Sequence, residues 1–146
     1  MSKTGSKVQT ARILIILSAV LWLILTTISV SYALGSGEIF YIPELILIIV
    51  TSIILLAWSY SVRSFPHLIS KVGYLSILIS IMNLLALGII ASSGHPITGT
   101  YPGITANLTQ NISASVPNLA FLIAYTATAI GIIGGISIIK NGHGPR

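Results

Sequence analysis

The groups in this chain that could bind a metal or move a proton near neutral pH are few: His67, His95, His143, Glu38 and Glu44, with no cysteine among the 146 residues. Imidazole and carboxylate are ordinary metal ligands and acid–base groups, so their placement decides what they can do. His95 is assigned to the opposite side of a membrane from His67 and His143 by the charge pattern set out below, so the three do not converge on one ion. None stands inside an apolar run, where an axial haem ligand would normally sit. They read as solvated loop histidines. The sequence therefore leads us to expect no catalytic residue, no metal and no cofactor. The lack of cysteine also removes disulfides and thiol catalysis.

Three other groups of residues carry weaker signals. Asn107-Leu108-Thr109 and Asn111-Ile112-Ser113 are N-x-S/T acceptors, and both fall in a segment that the charges place outside, so Asn107 and Asn111 are candidate glycosylation sites. Ser76, Ser80 and Asn83 are separated by four and three residues, which puts them on one face of a helix. They could bond to neighbouring helices or line a narrow path for water or a small solute. Ser18, Thr26 and Ser29, and then Ser52 and Ser59, form thinner polar lines. Ala127, Gly131 and Gly135, spaced by four, form a small-residue ridge beside Ala120, Ala124 and Thr128, of the kind that lets two backbones approach closely in lipid. Packing within the molecule is the expected use of that ridge, and a partner or self-associating face the alternative.

The elements that hold these residues follow from hydropathy. With 54% hydrophobic and 6% charged residues and a mean hydropathy of +0.99, a soluble domain would have no polar surface to show. Residues 13–34, 45–62, 72–91 and 119–139 contain no Asp, Glu, Lys, Arg or His. Each is near the roughly 20 residues that a helix needs to cross about 30 Å of hydrocarbon. Membrane strands would alternate polar and apolar residues, which these runs do not. The expected fold is all-α: a single membrane domain, residues 1–146, with four transmembrane helices in an up-down-up-down bundle.

Charge fixes the expected orientation. Lys3, Lys7 and Arg12 precede the first run, Arg63 and Lys71 flank the second turn, and Lys140 and Arg146 follow the fourth run, whereas Glu38 and Glu44 occupy the opposite side. By the positive-inside bias the N-terminus, the C-terminus and loop 63–71 are cytoplasmic, and loops 35–44 and 92–118 face outward. Residues 1–12 are expected to form a mobile tail. The first run, 22 residues long, is too long for a signal-peptide core and reads as an uncleaved helix.

These readings restrict function. The net charge of +5 is scattered over three short segments rather than gathered in a stripe, so nucleic acid is not an expected partner. Ion-coupled carriers and proton pumps place ionisable groups inside their helices, and these helices have none. The expected protein is not an enzyme. It is a non-catalytic, multi-pass protein of the cell membrane, a structural or accessory subunit that partners the lipid bilayer and other membrane subunits or copies of itself, with an exposed and glycosylated outer loop. A passive pore or carrier for a small neutral solute is the alternative reading. A subunit that shares a quinone or haem with a partner stands third.

Overall fold

The computed structural model describes residues 3–36, 42–62, 64, 66–92 and 115–142. They form helix α1 (Lys3–Ser36), helix α2 (Ile42–Ser61), a 3-10 turn (Pro66–Leu68), helix α3 (Ile69–Ser92) and helix α4 (Ser115–Gly142). All four helices contain a stretch of 19 to 26 residues long and apolar enough to span a membrane. The chain is thus an all-α, multi-pass membrane protein by length and composition of its helices.

The helices are longer than the uncharged runs that announced them. Lys3 to Arg12, expected as a mobile tail, are the opening turns of α1. The reason lies in spacing: Val8, Ala11 and Ile15 extend the buried face of α1 at three- and four-residue intervals and pack with Ile138 and Val72. Charged residues mark where hydrocarbon begins, not where a helix begins. At 34 residues, α1 is about 51 Å long, well beyond the roughly 30 Å of hydrocarbon.

Three other boundaries move for local reasons. α2 begins at Ile42 rather than 45 and contains Pro43 in its first turn, where the missing N–H has no helical partner to lose. Similarly, α4 begins at Ser115 instead of 119, with Pro117 in its first turn. Within segment 63–71, expected as a loop, Pro66–Leu68 is a 3-10 turn that runs straight into α3 at Ile69. Just before it, Val62 N–H donates to the Trp58 carbonyl at 3.1 Å and Ser64 N–H to the Ser61 carbonyl at 3.0 Å. That change from a four-residue to a three-residue step tightens the end of α2.

α1 packs on α2, α2 on α3, α3 on α4, and α4 on α1, closing a ring. Two apolar clusters fill it. One joins Trp22, Leu25, Leu45, Ile48, Leu87 and Ala124, and the other joins Ile15, Leu55, Val62, Val72, Ile79 and Ile138. Along α2, α3 and α4 the polar residues Ser52, Asn83 and Thr128 fall between the two clusters in sequence, and all three are buried. The outside is apolar as well: Leu85, Ile133 and Ile13 are among its exposed residues. Such a surface suits acyl chains and would aggregate in water.

Candidate functional site

A polar layer that starts within the second cluster and reaches toward the first brings side-chain oxygen and nitrogen atoms of several helices together. It is built from Ser18 of α1, Thr51 and Ser52 of α2, Ser76, Ser80 and Asn83 of α3, and the glycine-bearing stretch of α4 around Gly131. Ser18, Ser52, Ser76, Ser80 and Asn83 are all at most 1% exposed.

Most of the layer's hydrogen-bonding capacity is spent on backbone. Ser18 Oγ donates to the Ala127 carbonyl at 2.6 Å, joining α1 to α4, and Ser76 Oγ donates to the Gly131 carbonyl at 2.8 Å, joining α3 to α4. A helix carbonyl can accept a second bond while keeping its own helical N–H, because it has two lone pairs. Asn83 bridges to α2: its Oδ1 accepts from Thr51 Oγ1 at 2.9 Å, and its Nδ2 donates to Ser52 Oγ at 3.4 Å. Ser52 donates its own proton to the Ile48 carbonyl at 2.7 Å. Thr26, Ser29, Ser59 and Thr128 bond back to carbonyls four residues earlier in their own helices. Two buried atoms of the layer and its border have no hydrogen-bond partner, Ser80 Oγ and Trp22 Nε1.

Glycines set the spacing. A Cβ on Gly131 would run into Ser80 Oγ and lie 2.7 Å from Ser18 Oγ, so this single position receives α1 and α3 at once. A Cβ on Gly135 would lie 2.7 Å from the Gly73 carbonyl oxygen, and one on Gly73 would lie 2.8 Å from the Gly135 carbonyl oxygen. Both values are far inside van der Waals contact, so α3 and α4 meet backbone to backbone there. Gly134 faces the other way, toward α1, where its Cβ position is 3.1 Å from the Ala11 carbonyl oxygen. Van der Waals contact of this kind is the main source of helix association in lipid, where the hydrophobic drive between helices is missing.

Each sequence-derived candidate has a place in this picture. Ser76, Ser80 and Asn83 lie together in the polar layer. Ala127, Gly131 and Gly135 are buried, with the contacts just described. Asn107, Asn111, His95 and His143 lie outside the described residues. His67 is exposed in the 3-10 turn. No group of three His, Cys, Asp or Glu gathers among the described residues.

Sequence reading missed three contributors. Thr51, the strongest partner of Asn83, lay unremarked beside Ser52. Gly73 extends the Ser76–Ser80 face by one more small residue at three-residue spacing, a signal that was available. Arg12, whose charge already serves the expected topology, also makes specific contacts. Its Nε donates to the Ser59 carbonyl at 2.8 Å, its Nη1 donates to Gln9 Oε1 at 3.2 Å, and its guanidinium carbon lies 5.7 Å from the centre of the Tyr60 ring. The Ser59 carbonyl belongs to the last turn of α2, where carbonyls run out of helical donors and the helix dipole favours a cation.

This arrangement positions hydrogen-bonding groups. Hydroxyls without a neighbouring base are not nucleophiles, and the layer contains no ionisable side chain. No family model matches the chain, and no curated protein or solved structure is similar to it.

Proposed function

We propose that this protein is a non-catalytic component of the cell membrane, a structural or accessory subunit of a larger membrane assembly that acts by packing rather than by chemistry. In this reading its helices cross up-down-up-down with both termini cytoplasmic. The outer loop, residues 92–118, is exposed and carries glycans at Asn107 and Asn111 where the host can attach them. The observation that supports a packing role most directly is the fate of the interior polar groups: Ser18 and Ser76 are committed to carbonyls of α4. With these bonds made, the hydroxyls fix the register between helices and are not open to a passing solute. Other membrane proteins, or further copies of this chain, would meet the apolar outer face.

The test is gentle extraction from the native membrane. A stoichiometric partner, or a defined oligomer, supports the subunit reading; a strictly monomeric protein without a partner overturns it. Since the chain has no cysteine, single cysteines placed at the exposed Ser6 and Ser64 report orientation cleanly. Both should react with a membrane-impermeant maleimide only from the cytoplasmic side.

The second reading, a passive path for a small neutral solute along Ser76, Ser80 and Asn83, is favoured by one observation. Ser80 Oγ is buried without a partner, as a site for a transient hydrogen bond would be. Solute flux into liposomes that contain only the purified protein would support it, and silence there would remove it.

A further inference from the structure

We propose that the groove between the first turns of α1 and the last turns of α4 binds the headgroup of an anionic lipid. The proposal rests only on the membrane setting of the helices and is independent of any partner subunit. The register comes from Gly134, whose Cβ position is 3.1 Å from the Ala11 carbonyl oxygen. Lys7, one turn before Ala11, therefore comes level with the residues that follow Gly134. There an open groove of about 390 Å³ is lined by Lys7 of α1 and by Ile133, Ile136, Ser137, Lys140 and Asn141 of α4.

Three features give this groove the chemistry of a phosphate ester attached to an acyl chain. The first is charge. Lys7 and Lys140 approach from different helices, and neither has an acidic partner among the described residues. The one described carboxylate, Glu44, is in the first turn of α2, about 22 Å along that helix from the level of Ser59.

The second is a prepared donor. Asn141 Nδ2 donates to the Ser137 carbonyl at 2.8 Å and to Ser137 Oγ at 3.3 Å. The Ser137 hydroxyl thus accepts from Asn141, and its own proton is uncommitted among the described residues and available to a phosphate oxygen. The third is the floor: Ile133 and Ile136 are 59% and 54% exposed and continue the apolar outer face of α4 toward the membrane interior. A free phosphate ion would satisfy the lysines and Ser137 but leave these isoleucines unused. A lipid uses both halves.

The experiment measures binding of fluorescent phosphatidylglycerol to the purified full-length protein in detergent, against phosphatidylcholine with the same chains. Phosphatidylglycerol should bind in preference. The paired substitution Lys7→Gln with Lys140→Gln should weaken it about 25-fold, taking about 1 kcal/mol per basic residue and tenfold per 1.4 kcal/mol. Lys71→Gln, an exposed lysine outside the groove, should leave binding unchanged. Ile136→Ala, which keeps every charge and guards against a poorly folding double variant, should weaken phosphatidylglycerol several-fold. Equal binding of the two lipids overturns the proposal, as does an equal loss with Lys71→Gln, which would mean diffuse surface charge. Displacement by millimolar inorganic phosphate together with indifference to Ile136→Ala would assign the groove to the free ion and overturn the lipid assignment.

Discussion

Ser80 Oγ lies against Gly131 on the side where any other residue would carry its Cβ. In glycine that direction belongs to a Cα–H bond, so the oxygen faces a weak donor in place of the N–H or O–H that it lacks. The contact accounts for the glycine and leaves the Ser80 hydroxyl proton still without an acceptor. The hydroxyl is unpartnered by ordinary criteria, and the glycine has no room to be anything else.

Gly131→Ala should therefore destabilise the bundle by overpacking, by about 1–3 kcal/mol, read as a lowered midpoint of thermal unfolding in detergent. Adding Ser80→Ala removes the nearer obstacle but leaves Ser18 Oγ at 2.7 Å and Ser80 Cβ at 3.3 Å from the new methyl. The double variant should recover part of the loss and no more. Additive losses would show that the two side chains do not meet.

Asn83→Leu should cost less than Gly131→Ala, below about 1 kcal/mol, in keeping with interhelical hydrogen bonds in membranes worth about 0.6 kcal/mol on average. The physical reason is that its partners have other acceptors. Thr51 Oγ1 also lies 2.9 Å from the Leu47 carbonyl and 3.0 Å from the Ile48 carbonyl, so its proton is not stranded when Asn83 goes. A double-mutant cycle with Thr51→Val measures the coupling directly. A coupling above about 2 kcal/mol would contradict this account.

Arg12→Lys should behave almost as badly as Arg12→Gln. The guanidinium donates through Nε to Ser59 while Nη1 reaches Gln9, and a lysine ammonium cannot hold that fork or stack on Tyr60 in the same way. A loss of about 1 kcal/mol in unfolding stability is expected for either change, given one charged hydrogen bond that is only half-buried. If Lys restores full stability, charge alone matters at this position.

The two tryptophans should report the inside and outside of the bundle separately. Trp22 is fully buried, whereas Trp58 is 39% exposed on α2. In bilayers of brominated lipid, a Trp58→Phe protein, with Trp22 as its sole indole, should resist quenching. The Trp22→Phe protein should be quenched strongly. Equal quenching would mean that Trp22 faces lipid and that the ring of helices is wrongly closed.

Some of this could be read without coordinates. The uncharged runs revealed the four helices, and the serines and asparagine of α3 were recognisable as one face. The ends of α1 were not, because Lys7 and Arg12 interrupt the apolar run without interrupting the helix: Val8 and Ala11 go on packing between them. Nor were the contact partners. Residues 13–34 and 119–139 are apolar on nearly every side, so helical periodicity says little about which side turns inward.

By itself the sequence determined where this chain can lie in hydrocarbon, because a charge in a low-dielectric medium is costly whatever its neighbours are. That cost is local, and it can be read one residue at a time. Only the tertiary structure decided that Gly131 would receive Ser18 and Ser80, that Arg12 would close the end of α2, and that Lys7 and Lys140 would share one groove. Those outcomes depend on the axial register between helices. Register is set by the sum of many short-range contacts, among them the backbone approach of Gly73 to Gly135, which no single helix contains.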